Sequence, residues 1–578
     1  MASQNPIDVN TATTGRPGDL QEWEKIVAQK KERSKNDIPN EWKLSAEIFS
    51  ELSLPLESHP NRILDIDVPR KSGILSTREL EITDKYSVAE LLDRLASGTF
   101  TSLEVTTAFC KRAAIAQQLL SCLTEVFFSE ALERAKALDA FRAEGKQPLR
   151  PLHGLPISIK DTFKVKGQEA SSGYVSFLGT KAESNSHLVE MLLELGAVVY
   201  VKTNIPQTVA TGDSHNNIFG RTLNPFNTML TAGGSSGGEG ALIAFRGSPL
   251  GIGTDLAGSV RIPAACCGTY GFRPTAARLP AGGQASWGLP GLRAMLVSAG
   301  PLSNDFNGLE ILTRAIIDAV PARTDVTALD IPWRRLATSP SRSRLRIGIF
   351  PEEPLYPLQP PVKRALAEAV QILQEAGHEL IPIAPSLAQL NACSEVAWEL
   401  MALDPGRTLI GHITSSGEPF VPSVSTREAP ANFGKFEFVK TDVTDLDPFH
   451  RYAALNLKRD ELQESWTRNI WMEKKLDVII GPVARSSAVV HDTFGWPFYT
   501  VFVNVLDYPA CVVPFSQVSK ELDPTAVVRK SGEPGADYLP DILDKAPLSI
   551  QIFTSRFKDE ECLQYGRIID QCLKGRSQ

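Results

Sequence analysis

Ser186-His187-Leu188-Val189-Glu190-Met191-Leu192-Leu193-Glu194-Leu195-Gly196-Ala197-Val198-Val199-Tyr200-Val201 changes its periodicity once, at Gly196. Before the glycine, Leu188, Met191, Leu192 and Leu195 recur at helical spacing, and Ser186 stands where a cap is needed. Gly196 supplies the stop. After it, Ala197 to Val201 is an unbroken apolar run, the mark of a strand buried on both faces. The same grammar returns downstream. Leu345 to Phe350 reads as a strand. Val362, Leu366, Ala369, Val370 and Leu373 form a helical stripe closed by Gly377, and Leu380 to Ile383 is the next strand. Val478 to Ile480, Cys511 to Val513 and Ser549 to Phe553 add further strands. Helices alternating with short apolar strands predict a layered α/β fold.

Working outward, Ser87-Val88-Ala89-Glu90 and Thr101-Ser102-Leu103-Glu104 are capping boxes, each followed by an apolar-periodic run. They predict two helices between 87 and 120. Residues 1–75 are polar and read as an N-terminal extension with a surface helix over Glu22 to Arg33. Residues 76–572 then form the main domain. Pro280 to Pro301 and Lys520 to Asp544 read as loops or insertions. Residues 384–470 show no clean periodicity and are assigned to a cover over a substrate pocket.

The 578 residues carry a net charge of −7, with 42% hydrophobic and 22% charged residues. That balance is ordinary for a globular enzyme and argues against nucleic acid as the main partner. The eight cysteines include no CxxC pair, so neither a zinc site nor a disulfide framework is indicated. No metal or cofactor is expected. No transmembrane run, signal core or C-terminal retention signal is present, which makes the cytoplasm the expected location. The expected partners are a small molecule and, at most, a second copy of this chain.

Two glycine-rich loops and one lysine carry the chemistry. The first loop is Gly233-Gly234-Ser235-Ser236-Gly237-Gly238, and the second is Gly253-Thr254-Asp255-Leu256-Ala257-Gly258-Ser259. The lysine is Lys160, at the end of Pro156-Ile157-Ser158-Ile159-Lys160. A lysine ending an apolar strand is usually a snorkelling charge. Ala241 to Phe245 follows the first loop as an apolar run, which makes a flexible linker a poor reading. A phosphate loop is a rival reading, although no Walker-type Lys-Ser/Thr pair follows. Gly233-Gly234-Ser235-Ser236-Gly237 fits the G-x-S-x-G nucleophile elbow, which would make Ser235 the nucleophile and require a downstream histidine. His378, His412, His450 and His491 are the candidates. In the second loop, small residues around Ser259 expose successive N–H groups, as an oxyanion hole requires. A serine hydrolase that uses lysine as its base is the competing reading.

Together these residues resemble the amidase signature family. Lys160, the Gly233–Gly238 loop and Gly253 to Arg261 match its motifs in order, with Ser235 75 residues after Lys160 and Ser259 24 residues after Ser235. Ile38 to Lys43, Arg70 to Leu75, Phe109 to Leu119 and Pro547 to Ile552 are similar to fungal acetamidases and general amidases. Val201 to Gln207 is similar to fatty acid amide hydrolases. The resemblance implies a large twisted mixed β-sheet covered on both faces by helices. It also implies an amide hydrolase that forms an acyl-enzyme on Ser259. Ser235, on a cis peptide bond, would relay the proton to Lys160, and the N–H groups of Leu256, Ala257, Gly258 and Ser259 would hold the oxyanion. Val209 would line the acyl pocket, with Ser236, Thr254, Asp255 and Arg261 as supports behind the loop. Ala257 departs from the family, which commonly has glycine there, and its methyl is expected to restrict φ and narrow the pocket. The implied substrate is a carboxamide with a small aliphatic or lipophilic acyl group. A tailoring amidase or esterase of secondary metabolism and a partner-dependent amidotransferase subunit are the alternatives.

Overall fold

The computed structural model describes residues 20–145, 148–336, 344–428, 442–529 and 535–575. Eleven strands among them form one sheet. In chain order these are β1 (Leu123–Val126), β2 (Pro156–Lys160), β3 (Val198–Thr203), β4 (Leu250–Asp255), β5 (Tyr270–Arg273), β6 (Ser298–Ser303), β7 (Arg346–Ile349), β8 (Glu379–Pro382), β9 (Val478–Pro482), β10 (Ala510–Gln517) and β11 (Pro547–Phe553). Their spatial order is β1-β3-β2-β4-β6-β5-β10-β11-β9-β7-β8. β3, β2 and β4 run parallel, as do β9, β7 and β8, and the strands between those groups pair antiparallel. The sheet is therefore mixed, and every residue of β2, β3 and β4 is buried. Strands buried on both faces need helices on both sides.

The stretch around Gly196 gives the expected helix, over His187–Glu194, followed by β3, but Ser186 makes no side-chain cap bond and its hydroxyl donates to the Lys164 carbonyl at 3.2 Å instead. Both capping boxes close, at Ser87 with Glu90 and at Thr101 with Glu104, starting helices Val88–Ser97 and Ser102–Leu120.

Two expectations are corrected. Residues 280–297 form no helix or strand, but the end of the stretch Pro280 to Pro301 enters β6, which pairs with all six residues of β4. Ser-Ala-Gly-Pro-Leu-Ser carries no strand-like alternation. It fits because a Cβ at Gly300 would lie 2.1 Å from the Phe272 carbonyl oxygen on the neighbouring strand. The helix at Glu22–Ser34 is not a plain surface helix either. Val27 and Lys30 are buried, and Lys30 Nζ lies 2.6 Å from Glu125 Oε1 and 3.2 Å from Glu169 Oε2. A lysine can be buried this deeply only with such partners.

Residues 384–470 supply helices Leu390–Met401, Thr408–Ser416 and Pro448–Trp466. Trp466 is fully buried, and its indole N–H donates to the Ala388 carbonyl at 3.1 Å. No described helix is long and apolar enough to cross a membrane.

Candidate active site

Parallel strands bring their C-terminal ends to one edge of a sheet, so β2 and β4 deliver Lys160 and the Thr254 loop side by side. Lys160 is completely buried. Its Nζ donates to Ser235 Oγ at 2.7 Å and to Thr254 Oγ1 at 2.8 Å, and no carboxylate is within ion-pair distance among the described residues. Burial pushes its pKa down to about 7, although Asp255 and Glu239 pull the other way. An ammonium without a direct counter-ion is costly in a dry site, and the neutral amine is favoured.

Ser235 follows a cis Gly234–Ser235 peptide. The loop is packed too tightly for side chains: a Cβ at Gly234 would sit 2.1 Å from the Thr211 carbonyl oxygen. Ser236 joins the two loops. Its N–H donates to the Ser259 carbonyl at 3.2 Å, and its Oγ accepts the Thr254 N–H at 3.3 Å. The helix Gly237–Ala244 begins immediately afterwards and carries Glu239, which is fully buried. Glu239 accepts from Ser158 Oγ at 2.6 Å and from Thr203 Oγ1 at 2.8 Å. Burial raises its carboxyl to about 8, only partly offset by those hydroxyls. Lys160 and Glu239 are thus both driven toward their uncharged forms by the same dry surroundings.

The second loop is organised by Asp255. Its carboxylate accepts the Gly258 N–H at 2.8 Å, the Val260 N–H at 3.2 Å and the Asn504 amide at 2.9 Å. The Arg261 guanidinium lies against both of its oxygens, at 3.0 and 3.1 Å. Burial alone would raise this carboxyl, and Arg261 more than reverses it, holding Asp255 well below the usual carboxylate range. Arg261 also donates to Asn504 Oδ1 at 2.6 Å and to Gln551 Oε1 at 3.2 Å.

This arrangement corrects the expected oxyanion set. The Gly258 N–H is already spent on Asp255, whereas the N–H groups of Leu256, Ala257 and Ser259 have no acceptor in the chain among the described residues. Gly258 is required for its shape: it adopts φ +123°, and a Cβ there would lie 2.3 Å from Thr500 Oγ1. Ala257 is not in the left-handed region, so its methyl costs nothing in φ, contrary to expectation. Its carbonyl accepts from Thr500 Oγ1 at 2.7 Å.

Ser259 faces a cavity of about 470 Å³. Val209, Gly234, Leu256 and Ala257 line the near wall, and Trp398, Met401, Leu409, Ile410, Phe494 and Trp496 line much of the rest, beside the charged Asp213, Asp404, Arg407 and Asp492. The rings of Trp398 and Trp496 meet edge-to-face with centroids 5.1 Å apart. Val209 has φ +59° and follows Thr208 at φ +73°, a left-handed pair that β-branched residues rarely adopt. None of the four histidines named for a nucleophile elbow stands at Ser235. His378 accepts the Leu345 N–H, His412 packs on Tyr174 and Phe177, His450 pairs with Asp447, and His491 bonds the Thr228 carbonyl.

The family model for Amidase matches residues 104–563. The chain belongs to the amidase signature family. Over 560 residues this amidase is 37% identical to an amidase of Gibberella moniliformis, covering 96% of this chain and 99% of that one. It is 36% identical to the acetamidase of Emericella nidulans, with 96% and 98% covered. The solved structure of a fatty acid amide hydrolase superposes with a TM-score of 0.84 at 30% identity, over 96% of this chain and 95% of that one. This amidase is therefore an amide hydrolase, acetamidase-like in sequence.

Several residues of the site escaped sequence reasoning. For Glu239 the signal was a lone carboxylate inside an otherwise small and apolar run. Thr500 and Asn504, the polar pair on the apolar helix Phe498–Leu506, are spaced i, i+4, which puts both on the face toward the Ser259 loop. Trp398, Phe494 and Trp496 carried no such signal.

Proposed function

We propose that this amidase hydrolyses a carboxamide with an apolar acyl group through Ser259, Ser235 and Lys160. The observation that carries the reading is the buried Lys160 amine, 2.7 Å from Ser235 Oγ and pushed to a pKa of about 7. At neutral pH a large fraction of such an amine is the free base, so it can take a proton without a histidine.

In this reading Ser235 donates its hydroxyl proton to the neutral Lys160 amine and takes up the Ser259 proton. The Ser259 oxygen attacks the amide carbonyl, and the oxyanion is held by the N–H groups of Leu256, Ala257 and Ser259. Each such donor is worth about 3 kcal/mol of barrier. The proton then travels back through Ser235 to the leaving nitrogen, which departs as ammonia or an amine. Water enters, loses its proton along the same path and releases the carboxylate from Ser259. Thr254 orients Lys160 toward Ser235, and Asp255 with Arg261 holds the loop.

The predominantly apolar lining and a volume of about 470 Å³ favour acyl groups much larger than acetyl. The test is Ser259→Ala. It is expected to abolish turnover and labelling by a fluorophosphonate, with the wild-type label located on Ser259 by mass spectrometry. Full turnover in the variant, or a label on Ser235, overturns the assignment.

A further inference from the structure

Part of the far wall of the cavity is carried by two helices, Thr408–Ser416 and Pro422–Glu428, which contribute Leu409, Ile410 and Ser423. The segment between them contains Glu418, a carboxylate outside the catalytic machinery that is only 5% exposed. No cation pairs with it among the described residues. Instead, donors from three separate parts of the chain converge on it. Its Oε1 accepts the Val175 N–H at 2.8 Å, and Ser416 of its own segment adds a hydroxyl at 3.3 Å. Its Oε2 accepts Gln207 Nε2 at 2.7 Å and Asn217 Nδ2 at 2.8 Å. The same two amides also reach the Pro419 carbonyl, at 3.1 and 2.8 Å. Gln207 completes the link, because its Oε1 accepts the Val421 N–H at 3.1 Å.

Gln207 opens the short turn Gln207–Val209, in which Thr208 and Val209 are left-handed and Val209 lines the cavity. One side-chain pair therefore joins the far wall to the near wall. A small apolar cluster of Tyr174, Ile413, Val421 and Val424 packs the same segment down and sets no register of its own. The hydrogen bonds do, because they are directional.

We propose that Glu418 is a positioning residue for acyl-chain selectivity: its bonds to Gln207, Asn217 and Val175 hold the two cover helices at a fixed distance from Val209 and the Ser259 loop. The proposal rests on the reading of Ser259 as the acylated residue. A long acyl chain spans from Ser259 to the cover, whereas an acetyl group ends before reaching it. Glu418 must be a carboxylate, because only an acceptor-only group satisfies donors on both oxygens. A glutamine would turn its own NH₂ toward a donor.

The experiment compares kcat/KM for octanamide and acetamide in the unmodified chain and in Glu418→Gln. The octanamide-to-acetamide ratio is expected to fall by about 10-fold or more, with the loss carried by KM for octanamide. A purely structural defect would reduce the folded fraction and lower both activities by one factor. A ratio within about 2-fold of wild type therefore overturns the proposal, whatever happens to the absolute rates. Gln207→Leu cuts the same link from the other side and should shift the ratio in the same direction; it decides the matter if Glu418→Gln does not fold. Fluorophosphonate labelling separates the two readings. A wild-type label absent from Ser259 removes the underlying assignment, and a label on Ser259 with an unmoved ratio removes the role of Glu418 alone.

Discussion

On the Ser259 side of the cavity the wall is backbone, and on the opposite side it is side chains. Asp255 fastens the N–H groups of Gly258 and Val260, Ser236 fastens Thr254 and the Ser259 carbonyl, and Thr500 fastens the Ala257 carbonyl. Little there can move without breaking a buried hydrogen bond. Across the cavity, Trp398, Met401, Leu409 and Ile410 project from helices tied down by packing and by Glu418. Apolar contacts are non-directional and tolerate substitution, so that wall can change shape while the chemistry stays fixed. On the proposed mechanism this difference separates reaction from specificity: one wall would decide whether an amide is cleaved, the other which amide.

The sharpest way to break this division is at Lys160. Lys160→Ala is expected to lower kcat by about 10³- to 10⁴-fold with every amide alike, as removal of a general base does. A loss that depends on acyl length would place Lys160 in binding instead. Next comes Arg261→Met, which leaves the Asp255 carboxylate buried without its cation. It should destabilise the chain by about 3–5 kcal/mol in urea unfolding, and an unchanged midpoint would mean that Asn504 and the backbone N–H groups suffice.

The pH profile probes the same wall more gently. Burial lowers Lys160 to about 7, and the proposed mechanism needs the unprotonated amine. kcat/KM should therefore fall about tenfold per pH unit below that value and level off above it. A limb at the same pH in Lys160→Ala would assign it to another group. The smallest effect belongs to the side-chain wall. Trp398→Ala should raise KM for octanamide by about 10-fold and change acetamide turnover by less than about 2-fold, as steady-state kinetics will read. Equal effects on both amides would erase the distinction between the walls.

How much of this was legible in the chain follows the same line. The helix at His187–Glu194, β3, and the helices begun at Ser87 and Thr101 were readable because each is specified by neighbours within a few residues. Strand β6 was not. Its Gly300 is required by the close approach of the Phe272 carbonyl, which no local pattern reports. Lys160, Ser235 and Ser259 stood out because glycine-rich loops beside serines are unusual and match a family in spacing. The roles of neighbouring atoms did not stand out. The sequence marks Thr254 as a support behind the loop but not its partner, Lys160, whose Nζ donates to Thr254 Oγ1 at 2.8 Å. The Gly258 N–H was counted as free for an oxyanion and is bonded to Asp255.

The amino-acid order alone thus specified the α/β grammar, the family and the residues whose chemistry is strong enough to mark a short motif. Folding settled which N–H groups remain free, which charges are cancelled and what encloses the substrate. Those properties depend on contacts such as Arg261 with Gln551, 290 residues apart, and Gln207 with Glu418, 211 residues apart. Hydrogen-bond satisfaction and desolvation are set by everything that packs around an atom, and local sequence does not carry that information.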